Sequence, residues 1–132
     1  MTAAELIAQA AKRLSDAGVP EPELDAKILF LEAFHMDQVH FLMNRMRPLT
    51  EEQRTQQETY EAMIDRRSTR VPLQQILGSQ EFMGLTFHVT PDVLIPRQDT
   101  ETLVERVLQE QKDPDIRLLD LCTGSGCIAI SL

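Results

Sequence analysis

The 132-residue chain has no Trp, a single Tyr, three His, five Gly and two Cys. The two thiols, Cys122 and Cys127, lie close together near the carboxyl end with no partners to staple the remainder, so a disulfide framework is excluded. Two thiols five residues apart without a neighbouring His also fall short of a four-ligand zinc site, and no metal is expected. No apolar run approaches the roughly 20 residues that a membrane span needs. The start, Met1-Thr2-Ala3-Ala4-Glu5, lacks the basic and apolar stretches of a signal peptide. The reading is a cytoplasmic protein with no membrane partner. A net charge of −8 removes the uncompensated Lys and Arg of a nonspecific phosphate-binding surface, so direct nucleic-acid binding is not expected. What remains, 42% hydrophobic and 26% charged, is ordinary for one globular domain or two small ones.

Residues 1–70 have almost no Gly and little β-branched content, and they read as helices. Thr2 with Glu5 makes a capping box; Leu6, Ile7, Ala10 and Leu14 recur at helical spacing; Gly18 and Pro20 supply a stop, which predicts a helix over 3–17. Pro22 suits the first turn of a second helix, with Leu24, Ile28, Leu31 and Phe34 near a 3.6 period. A short third helix is expected from Asp37 to Asn44, and Thr50 with Gln53 opens a polar helix to Ser68. A bundle this small has few apolar residues to spare, so Leu24, Ile28, Leu31, Phe34 and Tyr60 are all expected in its core; a large one left exposed marks a docking surface. His35, His40 and His88 have no partner at diagnostic spacing and read as surface residues. Arg66, Arg67 and Arg70 read either as compensation of a helix end or as a contact for a macromolecular partner.

From Val71 onward Pro72, Gly78, Gly84, Pro91 and Pro96 punctuate short segments rich in Phe, Val, Thr and Ile. Ser79–Met83 and Thr86–Val89 around Gly84-Leu85 read as a β-hairpin. A helix over 99–111 follows, with Leu103, Val104, Val107 and Leu108 on one face. Ile116-Arg117-Leu118-Leu119-Asp120-Leu121 has the nearly unbroken apolar character of a strand covered on both faces. Cys122-Thr123-Gly124-Ser125-Gly126-Cys127 and the apolar start of a helix come next. Strand, glycine turn and helix open a nucleotide-binding sheet. The dinucleotide fingerprint Gly-x-Gly-x-x-Gly is incomplete, because Ala129 stands three after Gly126, so NAD is the weaker reading. Asp120, two before the turn, favours the adenosylmethionine version of the loop; the bland alternative is an acid stabilised by a helix start.

Three segments, in order, resemble the HemK/PrmC family of protein-(glutamine-N5) methyltransferases that modify peptide chain release factors. They are Glu81-Phe82-Met83-Gly84-Leu85-Thr86-Phe87, Leu94-Ile95-Pro96-Arg97-Gln98-Asp99-Thr100-Glu101 and Asp120-Leu121-Cys122-Thr123-Gly124-Ser125-Gly126. Pro72-Leu73-Gln74-Gln75-Ile76-Leu77-Gly78 is similar to that family's link between helical domain and hairpin. The resemblance implies an α+β chain in two parts, a small all-α bundle followed by a β-hairpin and the first strand and glycine loop of a Rossmann-like α/β methyltransferase domain. Residues 1–70 would recognise the substrate, 71–98 form a linker with the hairpin, and 99–132 begin the catalytic domain, the rest of which lies outside these residues.

By the same resemblance S-adenosyl-L-methionine is the cofactor, bound by Asp120, Cys122, Thr123, Gly124, Ser125 and Gly126. Pro96, Arg97, Asp99, Thr100 and Glu101 would close over the cofactor and substrate pocket, with Phe82 and Phe87 near it. The two Phe read equally well as packing on the hairpin. The partners would be release factors, methylated on the glutamine of a Gly-Gly-Gln motif. Cys122 stands where the family often has glycine, and Gln98 where it often has proline. The family's Asn-Pro-Pro-Tyr motif, which orients the glutamine amide, has no match, because the only Asn is Asn44; the catalytic residues are therefore unassigned. A ribosomal-protein glutamine methyltransferase, a non-catalytic protein-docking module and a nicotinamide-dependent oxidoreductase are the alternatives. The 132 residues alone are expected neither to bind the cofactor tightly nor to turn over.

Overall fold

Thr2 and Glu5 cap each other at the start of helix α1 (Ala3–Asp16): the Glu5 N–H donates to Thr2 Oγ1 at 3.2 Å and the Thr2 N–H to Glu5 Oε2 at 2.8 Å. The computed structural model describes Met1–Leu132. Gly18, at φ +75°, ends α1: its N–H donates to Ser15 O and that of Val19 to Leu14 O, and Val19 folds back into the core. Helix α2 (Pro22–Ala33) begins on Pro22 and ends the same way without glycine, with His35 held at φ +50°. Asp37 caps α3 (Gln38–Asn44), its Oδ1 accepting the His40 N–H at 2.7 Å. A 3₁₀ turn over Glu51–Gln53 leads into α4 (Arg54–Ser68), and a short α5 (Leu73–Leu77) closes the first of two units, Met1–Leu77.

The core of this unit is aromatic at its centre. The ring of Phe30 stacks on Phe34 at 4.1 Å and meets Phe41 and Tyr60 edge-on at 5.8 and 5.5 Å. Tyr60 is fully buried and its hydroxyl donates to Ala26 O at 3.1 Å; burial pushes its ionisation above the ordinary tyrosine range. Beside it Arg67 Nε donates to Asp25 Oδ2 at 2.7 Å in a nearly buried ion pair.

Helix α2 buries a different face from the one its 24, 28, 31, 34 spacing predicts. Ala26, Leu29, Phe30 and Ala33 point inward with Phe34, whereas Leu24 is 49% exposed and Ile28 and Leu31 are half-buried. The helix is apolar on nearly all sides, so periodicity cannot choose between stripes. Packing does choose, because the small Ala26 and Ala33 let neighbouring helices approach and Asp25 must face Arg67. The arginine cluster divides in the same way: Arg67 is in the ion pair and also donates to Val71 O, Arg70 donates to Gly18 O, and Arg66 stays in water.

The second unit, Gly78–Leu132, starts with an antiparallel hairpin, β1 (Ser79–Phe82) and β2 (Leu85–His88), in the register Ser79↔His88 to Phe82↔Leu85. Its two-residue turn is therefore Met83-Gly84, one position earlier than expected. Both residues have positive φ, +50° and +74°, the pattern whose twist matches the flanking strands, and glycine is best used inside such a turn. Helix α6 (Gln98–Glu110) follows, and of its expected apolar face only Val104 is fully buried; Leu103 and Leu108 are exposed and Val107 is half-buried.

Residues 116–121 do not form the expected strand; Leu119 and Leu121 are 83% and 76% exposed. The sheet contains only β1 and β2, so the segment has no neighbouring ladder to pair its backbone groups, and a strand, unlike a helix, cannot satisfy them alone. The glycine loop then leads into a short helix α7 (Cys127–Ser131), as expected.

Candidate functional site

The candidate site is assembled entirely within the second unit, from three stretches that are far apart in sequence. Phe82 of β1, Phe87 of β2, Val104 of α6 and Cys127 at the start of α7 form one buried cluster, with the rings of Phe82 and Phe87 edge-on at 6.1 Å. Gln80, Phe82, Leu85 and Phe87 share a hairpin face by the strand register, and this face meets α6. The cluster thus ties the hairpin, the helix after Pro96-Arg97 and the glycine loop into one body. Phe82 and Phe87 occupy its interior.

The Met83-Gly84 turn is held from α6. Glu101 is half-buried, and its Oε1 accepts the Met83 N–H at 2.9 Å. A left-handed conformation at a non-glycine residue costs roughly 1–2 kcal/mol. A hydrogen bond to a charged acceptor contributes about 1.5–3 kcal/mol, enough to offset it. The rest of that segment is placed differently: Pro96 is buried, Arg97 and Asp99 are exposed at the start of α6, and half-buried Thr100 donates its N–H to Arg97 O at 3.0 Å. Sequence reasoning placed Glu101 with its neighbours; its separate role was hidden because nothing local links positions 83 and 101.

In the glycine loop, Cys122 lies at φ +58°, Gly124 at +57° and Gly126 at +79°. Cys122 therefore carries a side chain in a conformation that glycine adopts freely, and its thiol is exposed. Half-buried Asp120 accepts the Thr123 hydroxyl through Oδ2 at 2.9 Å, and the Gly126 N–H closes the turn on Thr123 O at 2.9 Å. The N–H groups of Thr123, Gly124 and Ser125 donate to no protein group, and a Cβ at Gly124 would meet nothing within 4 Å. Free amides, open space at glycine and a carboxylate with one unengaged oxygen can accept a polar ligand that approaches the backbone closely. No group of three or more His, Cys, Asp or Glu is gathered at metal-binding distance, and no helix is long and apolar enough to cross a membrane.

The histidines take ordinary positions. His40 Nδ1 lies 3.0 Å from Asp37 Oδ2 at the start of α3, while His35 and His88 are exposed. The one asparagine, Asn44, is half-buried at the end of α3, its Nδ2 donating to His40 O at 2.8 Å within its own helix.

Residues 5–78 match the family model described as the PrmC N-terminal domain. The chain is 42% identical to a protein of Geobacter sulfurreducens over 119 residues, covering 90% of this chain and 40% of that protein. It is 42% identical to one of Moorella thermoacetica over 134 residues, covering all of this chain and 46% of the other. It is 39% identical to one of Clostridium botulinum over 120 residues, covering 90% and 41%. Each of the three is named release factor glutamine methyltransferase. The chain spans about two fifths to just under half of the length of these curated relatives.

Proposed function

The chain belongs to the PrmC N-terminal domain family, and from that premise we propose that it serves the transfer of a methyl group from S-adenosyl-L-methionine to N5 of the Gly-Gly-Gln glutamine of peptide chain release factors. The reaction runs in the cytoplasm, where termination takes place. Residues 1–70 engage the protein substrate, 71–98 form the linker with the hairpin, and 99–132 supply the opening of the cofactor cleft. The observation that carries this reading is the convergence of hairpin, α6 and glycine loop on the Phe82, Phe87, Val104 and Cys127 cluster, in a chain matched along nearly its whole length by proteins so named.

S-adenosyl-L-methionine, when bound, supplies a methyl on a sulfonium sulfur. The transfer would break the methyl C–S bond, releasing a neutral thioether, and form an N–C bond, with the amide proton passing to solvent water. The free Thr123, Gly124 and Ser125 amides meet the donor's polar groups; Asp120 keeps the loop in shape through Thr123 and offers its second oxygen as an acceptor. By the same reading Arg97, Asp99 and Thr100, at the start of α6, and the buried Pro96 before them belong to the segment that closes over the cofactor and substrate. An amide nitrogen is a poor nucleophile because its lone pair is delocalised, so rate enhancement rests on alignment and on acceptors for the rehybridised nitrogen. No residue of this chain is assigned that last task.

The test is to purify the protein expressed from the whole reading frame and incubate it with the donor and a release factor. Mass spectrometry is expected to show one added methyl on the Gly-Gly-Gln glutamine; an unmodified glutamine together with a co-purifying dinucleotide overturns the reading. The 132-residue chain alone is expected to show no micromolar affinity for the donor by calorimetric titration. The second reading, a non-catalytic docking module, is favoured by the exposed stripe of Val39, Leu42, Met43 and Met46, spaced i, i+3, i+4, i+7 through and just past α3. It predicts capture of release factor by the whole chain, lost in Met43→Glu, with no methyl added by the full-frame protein.

A further inference from the structure

We propose that Glu101 is a positioning residue: it locks the Met83-Gly84 turn onto α6 and so sets how the hairpin stands at the head of the glycine loop. The role rests on the methyl-transfer reading only for its catalytic consequence.

The geometry departs from that of a pocket-lining acid. Arg97 and Asp99 reach solvent, whereas half-buried Glu101 turns inward and accepts the Met83 N–H at 2.9 Å. Met83 is the first of the two turn residues, outside the register of the strand ladder, so no cross-strand carbonyl takes its N–H. Without Glu101 a half-buried donor would lose its partner and a strained φ of +50° would lose its restraint.

Glu101 and Val104 lie three apart and therefore on one face of α6, which grips the hairpin at two adjacent points. Val104 packs with Phe82, and Glu101 holds the residue after Phe82. Cys127, in the same cluster, follows Gly126 directly. A hairpin freed at its turn can swing about the remaining apolar contact, which is non-directional. The glycine loop keeps its own shape through the Gly126 N–H to Thr123 O bond and the Thr123 to Asp120 bond, neither of which involves Glu101. The loss should therefore fall on binding of the polypeptide substrate and leave donor affinity unchanged.

Two variants separate a positioning role from a merely local bond. Glu101→Ala removes the acceptor, and Glu101→Gln keeps a carbonyl oxygen in its place. In the 132-residue chain Glu101→Ala is expected to speed hydrogen exchange of the Met83 amide by about tenfold or more, with α1 and α2 amides and helix content unchanged, and Glu101→Gln to restore it within about threefold. In the full-frame protein Glu101→Ala is expected to raise KM for a Gly-Gly-Gln polypeptide about tenfold, with kcat and donor affinity within about twofold and Glu101→Gln near the parent. Unchanged Met83 exchange in Glu101→Ala overturns the proposal, as does faster exchange with an unaltered KM. A Glu101→Gln as impaired as Glu101→Ala also overturns it, since charge rather than an acceptor would then be required. If the unsubstituted protein transfers no methyl at all, the functional reading fails, while the exchange measurement still decides whether Glu101 holds the turn.

Discussion

Fifteen buried apolar residues form one continuous core in Met1–Leu77, whereas four do so in Gly78–Leu132, where Leu94, Leu103, Leu118, Leu119 and Leu121 lie in water. The two units are built from similar proportions of apolar residues and differ in the element that must bury them. A helix satisfies its backbone groups internally, so a handful of helices can close a core within one short stretch of chain. A covered parallel strand requires partner strands on its edges and helices on its faces before its leucines can leave water. The helical unit consequently closes one large core, while most leucines of the second unit stay in water.

The contrast is broken most directly by removing one large side chain from each unit. Phe30 touches three aromatic rings with no exposed surface, and Phe30→Ala is expected to cost about 3–5 kcal/mol. Leu119→Ala is expected to change stability by less than about 0.5 kcal/mol. Urea denaturation followed by circular dichroism measures both; equal effects would mean that Leu119 is packed in the core of the second unit.

Next in size is the Asp25–Arg67 pair. Arg67→Met leaves an uncompensated carboxylate in the bundle and is expected to cost about 3 kcal/mol, whereas Asp25→Leu combined with Arg67→Met is expected to recover most of that. The same denaturation curves report it. Equal losses in the single and double variants would show that the pair contributes net attraction beyond its own desolvation.

The bundle also carries an alkaline limit that the second unit, which has no Tyr, lacks. Burial raises the folded ionisation of Tyr60 above its unfolded value of 10.0, so its contribution is complete below that pH and declines as pH rises through the folded value. Thermal melting temperature is expected to fall above about pH 10 and to fall less steeply in Tyr60→Phe. The smallest effect lies at the acid end. Glu5 is held below its ordinary 4.5 chiefly by the Thr2 backbone N–H, and Asp37 below its ordinary 3.8 chiefly by that of His40. Both contributions are present above those ordinary values and lost as pH falls through the lowered ones. Glu5→Gln and Asp37→Asn are expected to flatten the slight fall in melting temperature below pH 4.5.

Local signals read well. Both capping boxes, the glycine stop of α1 and the proline start of α2 sit where their residues predict, because each depends on residues within about one helical turn. The hairpin was legible to within one residue, the turn moving to Met83-Gly84 because two consecutive left-handed residues are best served by glycine in the second place. The glycine loop and its helix were legible as a motif. The inward face of α2 was not, since both stripes are apolar, nor was the missing strand, since pairing depends on residues elsewhere.

Composition and charge belong to the whole chain, and helix caps and stops to short windows where steric preference and neighbouring hydrogen bonds act; the sequence determined these alone. Which side of α2 faces inward, that Asp25 meets Arg67, that Phe82, Val104 and Cys127 share one cluster, and that Glu101 reaches back to Met83 were decided only by the tertiary structure. Those contacts join positions 18 to 45 residues apart, and close packing, which fixes them, is a property of the assembled chain and of no segment within it.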